Sequence, residues 1–154
     1  MKSFFLVLAN SLRNTFWKII GAKTVGVRII AVNNYDEVLL VKHTYKPGWH
    51  LPGGGIKRNE TLFEAAIREL YEETGTKITN IKFLGIYNDF SEGRNDHIVL
   101  FTGSVITTVT VNSFEIEDLK FFSRDEFPKD LDMHCKNKIY QFLDCEPSAH
   151  IGKW

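Results

Sequence analysis

The stretch from Gly54 to Thr76, GGIKRNETLFEAAIRELYEETGT, constrains the fold most, because it marks both ends of a helix and feeds it from a glycine run. Thr61 followed by Glu64 is a capping box, in which a hydroxyl and a carboxylate satisfy the first free backbone N–H groups. Gly75 stands where a left-handed C-cap belongs. These signals predict a helix over 62–74. Phe63, Ala66, Ile67 and Leu70 recur at helical spacing and are expected to form its buried stripe, with Glu64 and Arg68 as an i, i+4 ion pair on its surface.

On that helix Glu69 meets both Glu72 and Glu73 one turn later, so three carboxylates converge. Uncompensated, like charges at this spacing cost a few tenths of a kcal/mol per pair, roughly. A hard cation such as Mg²⁺ or Mn²⁺ removes that cost, since it takes carboxylate oxygens. Glutamates on a helix are commonly only a solvated face. Here WHLPGGG, Trp49 to Gly55, lies immediately upstream, and glycines let backbone pass close to a ligand. The loop is not a Walker loop, because no Gly-Lys-Ser/Thr follows, and it lacks the G-x-G-x-x-G spacing of dinucleotide sites.

These residues resemble the Nudix hydrolase family, whose box runs G, five residues, E, seven residues, R-E-U-x-E-E-x-G-U, with U a bulky aliphatic residue. Gly54, Glu60, Arg68, Glu69, Leu70, Glu72, Glu73 and Gly75 fall on it in register, and Thr76 at the last U position is the one departure. The resemblance implies an α/β fold, an α/β/α sandwich with a mixed β-sheet between helices. It implies a Mg²⁺-dependent hydrolase, with Mn²⁺ as a substitute, that cleaves a phosphoanhydride in a nucleoside diphosphate linked to another moiety or in a nucleoside triphosphate. By the same resemblance Glu69, Glu72, Glu73 and the Gly54 carbonyl hold metal, while Glu60 and Arg68 brace the loop against the helix. Either Glu69 or Glu115 then takes the proton of the attacking water. Glu115 and Glu117 share an acidic loop, and Glu115, before apolar Ile116, fits the commoner family pattern.

Three rival readings stand beside this one. An isopentenyl diphosphate isomerase on the same fold uses a cysteine early in the domain, whereas Cys135 and Cys145 lie at the far end. An RNA 5′-pyrophosphohydrolase would want a basic and aromatic platform, and the net charge is zero. A non-catalytic nucleotide sensor has less need of all three carboxylates. Tyr45, Trp49 and Phe90 are the aromatic residues considered for stacking on a base, against core packing as the ordinary use of such side chains.

At 154 residues the chain is sized for one domain, expected over 23–154 after an N-terminal segment, 1–22. Neutral charge draws it to neither nucleic acid nor an anionic surface, and the family resemblance implies a small-molecule nucleotide as its partner. The two cysteines match no zinc or redox spacing and read as free thiols of a reducing, cytoplasmic compartment. The first twenty residues carry Lys2, Arg13 and Lys18 and no acid, with Phe5, Leu8, Leu12, Phe16 and Ile19 near helical spacing. The leading reading is a helix packed on the domain or on a second subunit of a homodimer. A membrane-surface helix and an organelle address are its rivals, and the short run Phe4–Ala9 disfavours a secretory signal.

The remaining pattern predicts strands over 24–32 and 37–43 joined as a hairpin, then 78–87, 97–105 and 119–122. A brief helical turn after Ser123 and an amphipathic helix through Leu131, Cys135, Ile139, Phe142 and Leu143 complete it.

Overall fold

The computed structural model describes residues 8, 11–12, 15, 23–90, 95–106, 109–111, 113–144 and 149–154. Strand β1 (Lys23–Val32) and strand β2 (Val38–His43) form the expected antiparallel hairpin. Its turn is built by Asn33, whose side-chain oxygen accepts from the N–H groups of Tyr35 and Glu37 at 2.9 and 3.0 Å. That local bond substitutes for ladder pairing and lets the chain reverse in four residues.

Strand β3 (Trp49–His50) precedes the glycine loop, and helix α1 (Leu62–Thr74) follows it. Strands β4 (Ile78–Asp89), β5 (Asn95–Val105) and β6 (Ile116–Phe122), a 3₁₀ turn at Arg124–Glu126, helix α2 (Met133–Asp144) and strand β7 (His150–Lys153) complete the order. The sheet runs β3-β2-β1-β5-β4-β7, with β6 paired to β2. It is mixed: β1 lies parallel to β5 and β4 parallel to β7, and the other pairs are antiparallel.

Side-chain alternation along the strands gives the sheet two apolar faces. Val27, Ile29 and Ala31 of β1 face α1, where they cluster with Ala65, Ala66 and Leu70. Ile30 points the other way, with Leu40 and Leu100, toward Cys135 and Ile139 of α2. The result is the expected sandwich of helix, mixed sheet and helix.

Helix α1 has the expected bounds, with the Thr61–Glu64 capping box formed and Gly75 left-handed at its end. Its buried stripe agrees with the expectation at Ala66 and Leu70 and departs from it at Phe63 and Ile67. Ala65, Ala66, Leu70, Glu73 and Thr74 are buried, whereas Phe63 and Ile67 are 47% and 40% exposed. Small alanines let the helix lie close to the sheet, and the bulkier pair flanks the contact, where Phe63 packs edge-on to Phe101. Glu64 bonds to Thr61, so the expected Glu64–Arg68 pair is replaced by the capping bond.

Of the N-terminal segment only Leu8, Ser11, Leu12 and Thr15 are described; all four are helical, and Leu8 and Leu12 are 46% and 63% exposed. The rest of that expectation lies outside the described residues, as does Cys145. Among the described residues no helix is long and apolar enough to cross a membrane.

Candidate active site

The glycine loop runs antiparallel along β1 as though it were another strand. Val27 N–H donates to the Gly54 carbonyl at 2.8 Å and Ile29 N–H to the Pro52 carbonyl at 3.0 Å. Gly53 makes this approach possible. Its φ is +138°, and a Cβ there would stand 2.2 Å from the Val27 carbonyl oxygen. The Gly53 N–H then points at helix α1 and donates to Glu73 Oε2 at 2.9 Å. At Gly54 a Cβ would meet the Glu69 carboxylate at 2.7 Å, so the bare backbone makes room for that group.

Arg68 ties loop and helix together. It donates to Glu60 through Nε at 2.5 Å and Nη2 at 2.8 Å, to the Gly55 carbonyl at 3.0 Å, to Glu69 at 2.6 Å and to Glu72 at 3.0 Å. These bonds hold the Glu60 carboxyl down to about 2. Lys57 adds a second cation on Glu72, Nζ to Oε1 at 3.0 Å. Burial pushes the Glu72 carboxyl up, but the bonds from Lys57 and Arg68 outweigh it and leave it below the usual carboxylate range.

Glu69 and Glu73 have the opposite problem. Burial raises Glu69 despite its bond from Arg68. Glu73 is 6% exposed, and burial pushes it up to about 8, against the pull of the Gly53 N–H and the Arg28 charge. A buried carboxyl that resists ionisation beside two others is a set of hard oxygen donors short of positive charge. That donor set fits a divalent cation such as Mg²⁺ or Mn²⁺.

The three glutamates open on a cavity of about 700 Å³, which Gly54, Glu115, Arg28, Tyr45 and Lys46 also line. Tyr45 donates to Glu115 Oε2 at 3.3 Å, and its hydroxyl is pushed up to about 12, first by burial and then by the Glu115 charge. Glu117 faces elsewhere and pairs with Lys42 at 3.6 Å. Of the aromatic candidates Tyr45 alone lines the cavity; Trp49 packs edge-on to Phe122 and Phe90 is exposed. His43 sits 3.9 Å from Glu73 as a neutral ring, since burial and the Arg28 charge lower it to about 3. Its Nδ1 is buried without a hydrogen-bond partner.

Sequence reasoning passed over Arg28 and His43. Arg28 left a signal, a charge inside the apolar run VGVRIIAV, but His43 ends a strand with nothing to distinguish it from core. A second set of donor atoms, on His50, Asp132 and Cys135, lies within 4.8 Å of one another. Protein hydrogen bonds account for it: Asp132 caps α2 by accepting from Cys135 N–H at 2.9 Å, and His50 Nε2 lies 2.9 Å from the Pro47 carbonyl. Burial pushes the Cys135 thiol up to about 12.

The NUDIX domain model matches residues 22–143, most of the chain and all of the residues that line this site. The chain belongs to the Nudix family. It is 32% identical over 129 residues to a putative 8-oxo-dGTP diphosphatase of Bacillus subtilis (strain 168), covering 83% of this chain and 85% of that protein. An RNA pyrophosphohydrolase of Psychromonas ingrahamii is 47% identical over 59 residues, 38% of this chain and 33% of that one. Among solved structures, a MutT Nudix hydrolase from Burkholderia pseudomallei superposes with a TM-score of 0.70 at 23% identity, over 79% of this chain and 98% of its own. The protein is therefore a Nudix hydrolase, and the solved structure adds likeness of fold.

Proposed function

We propose that this Nudix hydrolase cleaves the phosphoanhydride of a nucleoside diphosphate linked to a second moiety, or of a nucleoside triphosphate, in a Mg²⁺-dependent reaction that Mn²⁺ also supports. The observation that carries this reading is Glu73, a buried carboxyl without a full countercharge, beside Glu69 and Glu72 on the wall of a nucleotide-sized cavity. Glu69, Glu72, Glu73 and the Gly54 carbonyl would hold the ion. When bound, the metal polarises phosphoryl oxygens and lowers the pKa of coordinated water.

The chain's own residues supply the rest. Arg28 and Lys46 line the same cavity and offer positive charge to the phosphates. Glu115, steadied by Tyr45, or Glu69 accepts the proton of the attacking water. Glu60 and Arg68 fix the loop, and so the position of Glu69, without touching substrate. The B. subtilis relative makes nucleoside triphosphates, oxidised ones included, the first class to assay. The RNA end is the second reading, motivated by the P. ingrahamii relative, and the scarcity of aromatic residues on the cavity wall ranks it lower.

The deciding experiment is a panel of nucleoside triphosphates, sugar nucleotides, ADP-ribose, dinucleoside polyphosphates and 5′-triphosphorylated RNA, each with Mg²⁺, with Mn²⁺ and without either metal. Metal-dependent product release from at least one nucleotide is expected. Tight nucleotide binding with no turnover by either metal would replace the enzyme by a sensor.

A further inference from the structure

The geometry points to Lys57 as a phosphate-binding side chain that Glu72 holds until a divalent cation takes its place; this rests on the metal-dependent reading above. Both oxygens of Glu72 carry a protein cation, Lys57 Nζ on Oε1 and Arg68 Nη1 on Oε2, each at 3.0 Å. The two cations are held very differently. Arg68 keeps two bonds to Glu60 and one to the Gly55 carbonyl whatever happens at Glu72.

Lys57 is fixed only through its backbone. Its N–H donates to Glu60 Oε2 at 2.8 Å and its carbonyl accepts from Glu60 N–H at 3.3 Å. Beyond that point the side chain is 59% exposed, and Glu72 is its one ion pair among the described residues. A divalent ion on Glu72 competes for the lone pairs that the ammonium occupies and repels it at short range. The ammonium leaves, and its pinned backbone keeps it on the cavity wall, which Lys57 shares with Arg28 and Glu69. There the oxygens of a metal-bound polyphosphate are its next partner, since an ammonium binds phosphate as a mobile point charge. Metal binding thus releases a phosphate ligand, and the two binding events reinforce each other.

Lys57→Met, which keeps the length of the stem and removes the charge, separates this exchange from a structural role. Mn²⁺ binding is read from the electron paramagnetic resonance of the free ion, and binding of α,β-methylene ADP by calorimetry at saturating Mn²⁺. Without the competing ammonium, Mn²⁺ alone is expected to bind about two- to fivefold more tightly, the worth of an exposed ion pair. The analogue should bind at least about fivefold more weakly, the loss of one charge-assisted bond. Lys57→Arg should restore both toward wild type, and the melting temperature should not move. Unchanged Mn²⁺ affinity, unchanged analogue binding, or a fall in both together with the melting temperature would each overturn the exchange. Glu72→Gln marks the parent reading: if wild type binds no Mn²⁺, or this variant binds it equally well, the metal site itself fails and the exchange fails with it.

Discussion

Replacing Glu73 by Gln should make the metal-free protein more stable and the enzyme nearly inactive. The fold holds this carboxyl at about 8 instead of 4.5. At about 1.4 kcal/mol per pH unit, burial opposes its ionisation by on the order of 5 kcal/mol as an upper bound. Because the folded pKa lies above the unfolded one, this contribution to stability is fully present below pH 4.5 and is lost as pH rises through about 8. Gln imitates the protonated form at every pH and still accepts the Gly53 N–H.

Water in the adjoining cavity screens the charge, so the gain expected in practice is about 2 kcal/mol, or roughly 4–8 °C in melting temperature for a chain of this size. Thermal unfolding in chelator should show that gain at pH 8 and none at pH 4.5. With Mg²⁺ present, turnover should fall by about two orders of magnitude or more, because a neutral amide is a poor ligand for a hard cation. Equal melting temperatures at pH 8, or a gain of the same size at pH 4.5, would refute the argument from the buried charge.

Gly54→Ala should push the Glu69 carboxylate aside, because its Cβ would stand 2.7 Å from it; since the displaced group is the end of a flexible chain, unfolding should change by less than about 1 kcal/mol while turnover drops about tenfold or more. Arg68→Ala removes the ties to Glu60 and Gly55 together and should cost about 1–3 kcal/mol in denaturant unfolding, with activity reduced through the loosened loop. Unchanged stability with abolished turnover would instead make Arg68 a phosphate ligand. Thr61→Ala deletes the cap and should lower stability by about 1 kcal/mol, leaving turnover per folded molecule intact.

What the sequence made legible was whatever is encoded locally. The limits of α1 were readable because Thr61, Glu64 and Gly75 satisfy particular backbone groups, and the converging glutamates followed from the helical period alone. Its buried face was read correctly at Ala66 and Leu70 and misread at Phe63 and Ile67, because hydrophobicity favours those two whereas close approach to the sheet favours a small residue such as Ala65. Burial of Glu73 was likewise invisible, since glutamate is ordinarily a surface residue and only the Gly53 N–H and the sheet behind it pull it inward. Strands β3 and β7 escaped notice, the first being two residues long and the second exposed throughout, so neither carries an alternating pattern. Arg28 reaches the glutamates because the glycine loop lies along β1, a pairing between segments too distant for any local pattern to record.

The parallel pairing of β1 with β5 has a kinetic consequence. Every partner in that ladder, from Lys23 with Asn95 to Val32 with Ser104, lies 72 residues away along the chain. Closing so long a loop costs entropy before any contact offsets it, so folding is slow for a domain of this length. The glycine loop and α1 both fall inside that loop, and most of the apolar bed of α1 is supplied by β1 and β5 together. The carboxylates proposed to hold metal would then be assembled after the rate-limiting step, and a cation bound there should act on escape from the native state, prolonging its lifetime, while leaving the speed of its formation unchanged.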